Sequence, residues 1–78
     1  MAFTEEIKGW TKSRPIWART LNDRRWKEAV YEGWDLETIP ISVLYRLVDP
    51  PGAGKRHSRL MDVAARDPVK RGSDRPHS

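Results

Sequence analysis

The sequence predicts a mainly α fold: a small helix-turn-helix-like domain of three to four short helices, with room for a small β wing and a disordered basic C-terminal tail. Three observations carry that expectation. A punctuated helix signal covers residues 23–32 and stops at Gly33. A second apolar run covers 39–48. Asp49-Pro50-Pro51-Gly52-Ala53-Gly54 then ends that run and hands the chain to a basic stretch.

Taken in order, Thr4-Glu5-Glu6 reads as a helix start, because Thr can cap and acids suit the positive end of the helix dipole. Phe3, Ile7 and Trp10 would form its apolar face, and Gly9 limits it to one or two turns. Residues 11–22 are weaker. Pro15 pushes Arg14 out of helical geometry, yet proline is tolerated in a first turn. A short helix from Ser13 or Arg14 carrying Ile16, Trp17 and Leu21 is the expectation.

Residues 23–32 read most clearly as helix. Asn22 can cap, Asp23 complements the dipole, and Leu21 and Trp26 stand where a hydrophobic staple would place them. Trp26, Ala29 and Val30 recur at helical spacing. Gly33 suits the left-handed position after a helix.

Residues 39–48 fit two periods. Ile39, Ile41, Val43, Tyr45 and Leu47 alternate as a half-buried strand would, while Ile41, Leu44, Tyr45 and Val48 recur as a helix would. β-branched Ile39, Ile41 and Val43 favour the strand. A cap at Thr38 and the preceding helix and glycine favour the helix, which is the expectation. The cluster of prolines and glycines at 49–54 is a turn. Residues 58–66 predict a last short helix stopped by Asp67-Pro68. The domain therefore spans 1–67, and 68–78 form a flexible basic tail.

With 78 residues and no cysteine, one small core is all the chain can build, without disulfide or thiolate-zinc staples. Four tryptophans, Trp10, Trp17, Trp26 and Trp34, are its main apolar resource. A possible homo-oligomer, or folding against a partner, would add stability. Net charge is +4, concentrated behind the glycine turn, which points to an anionic partner. The acidic start MAFTEEIKGW has no apolar core of a signal peptide, and no run approaches a bilayer span. A cytoplasmic protein with no membrane partner is expected.

Catalytic groupings are poor. Gly52-Ala53-Gly54-Lys55 looks like the end of a phosphate-binding loop, but Asp49 and Arg56 stand where glycine and a magnesium-binding hydroxyl belong. His57 lies near Ser58 and Asp62 in sequence only. No enzyme activity, cofactor or metal is expected.

The nucleic-acid constellation has more content. A glycine-containing turn between two helices can present the second to a major groove. Ser42, Tyr45 and Arg46 are the polar residues of that second element, and Lys55, Arg56 and Arg59 follow in a basic glycine-rich loop. The run Ile41-Ser42-Val43-Leu44-Tyr45-Arg46-Leu47-Val48, with Gly54-Lys55-Arg56-His57-Ser58-Arg59-Leu60 and Asp62-Val63, resembles the phage excisionase and AlpA-like regulators, over about residues 34–66. That resemblance implies a small helix-turn-helix or winged-helix DNA-binding protein. It also implies Ser42, Tyr45 and Arg46 as helix contacts and Lys55, Arg56 and Arg59 as wing contacts.

The leading expectation is thus a non-enzymatic DNA-binding regulator or recombination accessory factor. The alternative is a small protein-binding module or inhibitor docking on a larger host protein through Trp10, Trp17 and Trp34. The two part at residues 39–48: a strand there removes the recognition helix and favours the protein partner.

Overall fold

Residues 42–47 form a strand, and the mainly α expectation falls with that one element. The computed structural model, which describes residues 4–70 and 74–76, contains five antiparallel strands. These are β1 (Pro15–Ala18), β2 (Lys27–Asp35), β3 (Ser42–Leu47), β4 (Arg56–Ser58) and β5 (Val63–Ala65). The α-helix α1 spans Thr4–Lys8, and 3-10 turns span Leu60–Asp62 and Pro68–Lys70. The sheet order is β4-β3-β2-β1-β5. Among the described residues no helix is long and apolar enough to cross a membrane.

Each correction has a physical reason. In β3 the period-two reading wins: Val43 and Tyr45 are both buried, while Arg46 between Tyr45 and Leu47 is exposed. The helix expected over 23–32 is replaced by β2. Its cap and staple signals are each worth only about 1 kcal/mol, whereas β2 pairs along both sides, with β1 and β3, and buries Ala29 and Tyr31. Gly33 ends no helix. It follows a register shift between Tyr31 and Gly33, at φ 108°, where a bulge needs a residue without a Cβ. The extra residue, Glu32, lets Tyr31 and Trp34 both reach the core cluster, although they stand three apart.

The helix expected around 13–21 is β1, and the one expected over 58–66 splits into the end of β4, a 3-10 turn and β5. Only α1 keeps its expected identity, with Ile7 buried. Phe3 lies outside the described residues.

The connectivity forces the sheet to curl. A flat five-stranded sheet would part its edges by about 19 Å. Residues 59–62, which join edge strand β4 to edge strand β5, could span about 17 Å fully extended, and 60–62 are wound into a 3-10 turn. The edges therefore approach, and Arg19 fastens them. Its N–H donates to Asp62 O (3.0 Å), and its carbonyl accepts from Ser58 Oγ (2.7 Å).

Inside the curl lie Ile16, Ala18, Ala29, Tyr31, Val43, Tyr45 and Val63, with Ile7 of α1 packed among them. Trp10 meets Tyr31 edge to face, centroids 5.4 Å apart. Because strand residues alternate faces, Trp17 points away from Ile16 and Ala18 and builds a second cluster with Trp26 and Ala64. Arg66 is buried beside it, donating to Ile16 O and Ala29 O (both 2.9 Å).

The described residues of the expected tail make contacts of their own. Pro68–Lys70 form a 3-10 turn, Asp74 Oδ1 accepts from Trp17 Nε1 (3.3 Å), and the Arg75 guanidinium lies 4.8 Å from the Trp17 ring centre. Residues 71–73 and His77 lie outside the described residues.

Candidate functional site

The loops at one end of the sheet enclose an apolar groove of about 320 Å³, at the small end of the ligand-pocket range. Leu21, Pro40 and Ile41 supply its aliphatic walls, with Thr20, His57 and Arg59 around them. Two loop conformations place the walls. In the β1–β2 loop, Thr20 N donates to Asp23 O (3.0 Å) and Asp23 N to Thr20 Oγ1 (2.9 Å). That reciprocal pair leaves Leu21 at the tip, 68% exposed. In the β2–β3 loop, Glu37 N donates to Asp35 Oδ1 (3.0 Å) and Thr38 Oγ1 to Asp35 O (3.2 Å). Ser42 Oγ lies 2.9 Å from Thr38 Oγ1, which fixes the entry to β3 and projects Pro40 and half-exposed Ile41.

At the floor of the groove sits Asp62, 1% exposed, with three guanidiniums on one carboxylate. Oδ1 meets Arg19 Nε (2.9 Å) and Arg24 NH1 (3.2 Å); Oδ2 meets Arg59 Nε (3.0 Å) and NH2 (2.9 Å). Burial acts to raise the Asp62 carboxyl, but hydrogen bonds from Arg19 and Arg59 and the charges of Arg24 and Arg59 outweigh it and hold it below the ordinary aspartate value. Arg19 is mostly buried and stacks 4.3 Å from the Trp26 ring centre. Arg24 and Arg59 are each 45% exposed.

A second cation group lies nearby on the β1–β2 loop. Asp23 takes Arg25 on both oxygens (3.0 Å each) and Lys27 on Oδ2 (3.0 Å). Those contacts hold its carboxyl far below the usual range. Arg56 lines the same recess as Arg25 and Lys27. One region of the molecule thus collects Arg19, Arg24, Arg25, Lys27, Arg56 and Arg59 around two carboxylates.

The six residues that the sequence singled out for nucleic acid do not form one surface. Tyr45 is 1% exposed in the core, at the base of the recess that Arg56 lines. Ser42 is buried at the groove wall, and Arg59 joins it there. Arg46 is exposed on the outside of β3 and paired to Glu32 (3.1 Å). Lys55 is exposed in the β3–β4 loop, and Arg56 stands on β4 opposite Tyr45. Of the tryptophans offered to a protein partner, Trp17 is fully buried, and Trp10 and Trp34 pack half-buried against the core. The sequence reading missed Leu21, Arg19, Arg24 and Asp62. The available signal was an isolated leucine in a polar stretch, Arg19-Thr20-Leu21-Asn22-Asp23, which suits a projecting loop tip better than a staple.

In comparison with known proteins, no family model matches the chain, and neither a curated protein nor a solved structure matches it.

Proposed function

We propose that the chain is a non-enzymatic protein-docking module that receives an acidic segment of a larger protein in the groove between the β1–β2 and β2–β3 loops. The observation that carries this reading is the pairing of aliphatic walls with a guanidinium rim. Leu21, Pro40 and Ile41 suit an apolar side chain, and Arg59 in the lining, with Arg24 beside it on Asp62, suits an anionic neighbour. Single-stranded nucleic acid is gripped by stacking successive bases on several aromatic rings, and this groove offers only the His57 imidazole in its lining. The expected tryptophan contacts give way to loop-borne aliphatics, because the tryptophans hold the sheet together.

A second reading keeps DNA as the partner without a recognition helix. Arg25, Lys27 and Arg56 around one recess, with Lys55 in the adjoining loop, would bind phosphate without reading bases. One experiment separates the two. Peptides selected from a displayed random library, and a mixed-sequence duplex at about 50 mM and 200 mM salt, are offered to the wild-type chain and to Ile41→Lys. Docking predicts acidic-aliphatic peptides that lose binding to Ile41→Lys. A salt-sensitive duplex shift that Ile41→Lys retains, with no selected peptide, contradicts it.

A further inference from the structure

The rim of the groove is a preformed carboxylate receptor, an inference that rests on the docking reading above. Asp62 has both oxygens occupied, yet it cancels only one of three guanidinium charges. Arg19 is committed to the fold by its burial and its stack on Trp26. Arg24 and Arg59 are in a different position. Each is half in solvent, and each keeps donors in reserve from a guanidinium's five. Arg24 uses NH1 alone, on Asp62 and Thr20 O. Arg59 uses Nε and NH2. Among the described residues Arg24 Nε and NH2 and Arg59 NH1 have no partner.

Because Asp62 already fixes both side chains, a ligand anion need not order two long rotamers, and the cost of binding falls. The excess charge beside the groove favours an anion, and a forked guanidinium favours a planar, two-oxygen one. Arg59 also lines the groove that Leu21 and Ile41 wall, so the anion and an aliphatic group can be bound side by side.

We infer that Arg59, with Arg24, takes the side-chain carboxylate of an Asp or Glu on an extended peptide while a neighbouring branched aliphatic side chain seats between Leu21 and Ile41. Asp62 is the positioning residue of this receptor. A groove of about 320 Å³ accommodates one such side chain and its immediate neighbours rather than a folded surface.

The test uses the full chain and labelled, C-terminally amidated peptides followed by fluorescence anisotropy. The first probe is Gly-Ser-Leu-Glu-Leu-Asp-Ile-Gly-Ser. The second replaces Glu and Asp with Gln and Asn, and the third replaces Leu and Ile with Ser. The acidic aliphatic probe binds, and the amide probe binds about ten-fold or more weakly. Arg59→Gln and, independently, Arg24→Gln weaken the first probe but not the second, while Arg25→Gln changes neither. Circular dichroism identifies any variant that fails to fold, and the amide probe on the wild-type chain carries the test without a variant. Equal binding of the acidic and amide probes overturns the carboxylate receptor and leaves, of the docking reading, the aliphatic groove alone. Tight binding of the serine probe removes the aliphatic seat. No binding of the acidic probe up to about 1 mM, with a single-stranded oligonucleotide bound instead, overturns both.

Discussion

Asp62 and Asp23 are both carboxylates gripped by several cations, and they differ in almost everything that follows. Asp62 is buried in the turn joining β4 to β5, and its partners come from the far side of the sheet closure as well as its own loop. Asp23 is 30% exposed, and its partners Arg25 and Lys27 are two and four residues away. Both carboxyls titrate low. Low titration alone therefore does not rank the two clusters, because solvent screens the exposed pairs. Sequence separation and burial rank them: the Asp62 cluster closes the sheet, while the Asp23 cluster decorates a loop whose shape is already set by Thr20.

Removing Asp62 should break that comparison most visibly. Asp62→Ala leaves mostly buried Arg19 without its carboxylate, and breaking a buried pair costs about 3–5 kcal/mol. Small domains have about that much stability in total, so urea denaturation should find the variant largely unfolded at 25 °C.

Acid gives the same test without a mutation. Asp62 titrates lower folded than unfolded, so its contribution is complete above the unfolded value of about 3.9 and is lost as pH falls through the lower folded value. The thermal midpoint should drop below about pH 4, and Asp62→Asn should flatten that drop more than Asp23→Ala, whose exposed, solvent-screened pairs contribute less.

Arg66 sharpens the point from the cation side. It is 8% exposed and donates to two backbone carbonyls. Arg66→Met should cost about 1.5–3 kcal/mol by denaturant titration. The smallest effect belongs to Asp23→Ala, which should leave the unfolding midpoint close to wild type because both partners are exposed.

The same contrast between local and distant partners explains what could be read in advance. Helix α1 was legible because its signals, Thr4 through Ile7, are local. The turn at 49–54 was legible because prolines and glycines act where they stand. Residues 23–32 misled for the converse reason. Asn22, Asp23 and Gly33 are locally consistent with a helix, and what overrides them is pairing of Ala29 with Ile16 and Leu47, partners 13 and 18 positions away.

In 39–48 the strand period is visible in the sequence, and Thr38 caps no helix: its Oγ1 donates to Asp35 O inside a loop. Of the site, Ser42 and Arg59, expected as DNA contacts, lie at the groove. Leu21 forms no staple and stands exposed at the tip of the β1–β2 loop. Asp62 carries no signal of its role in the local sequence, because its Arg19 contact joins residues 43 positions apart.

The central claim is that the Asp62 cluster, and not the Asp23 cluster, presents the guanidiniums a partner uses. Arginine side-chain N–H resonances of the ¹⁵N-labelled chain, followed as the acidic aliphatic peptide is added, test it most directly. Arg24 and Arg59 should shift progressively and saturate together, while Arg25 and Arg46 stay in place. Movement of Arg25 with Arg56, and none at Arg59, would contradict it.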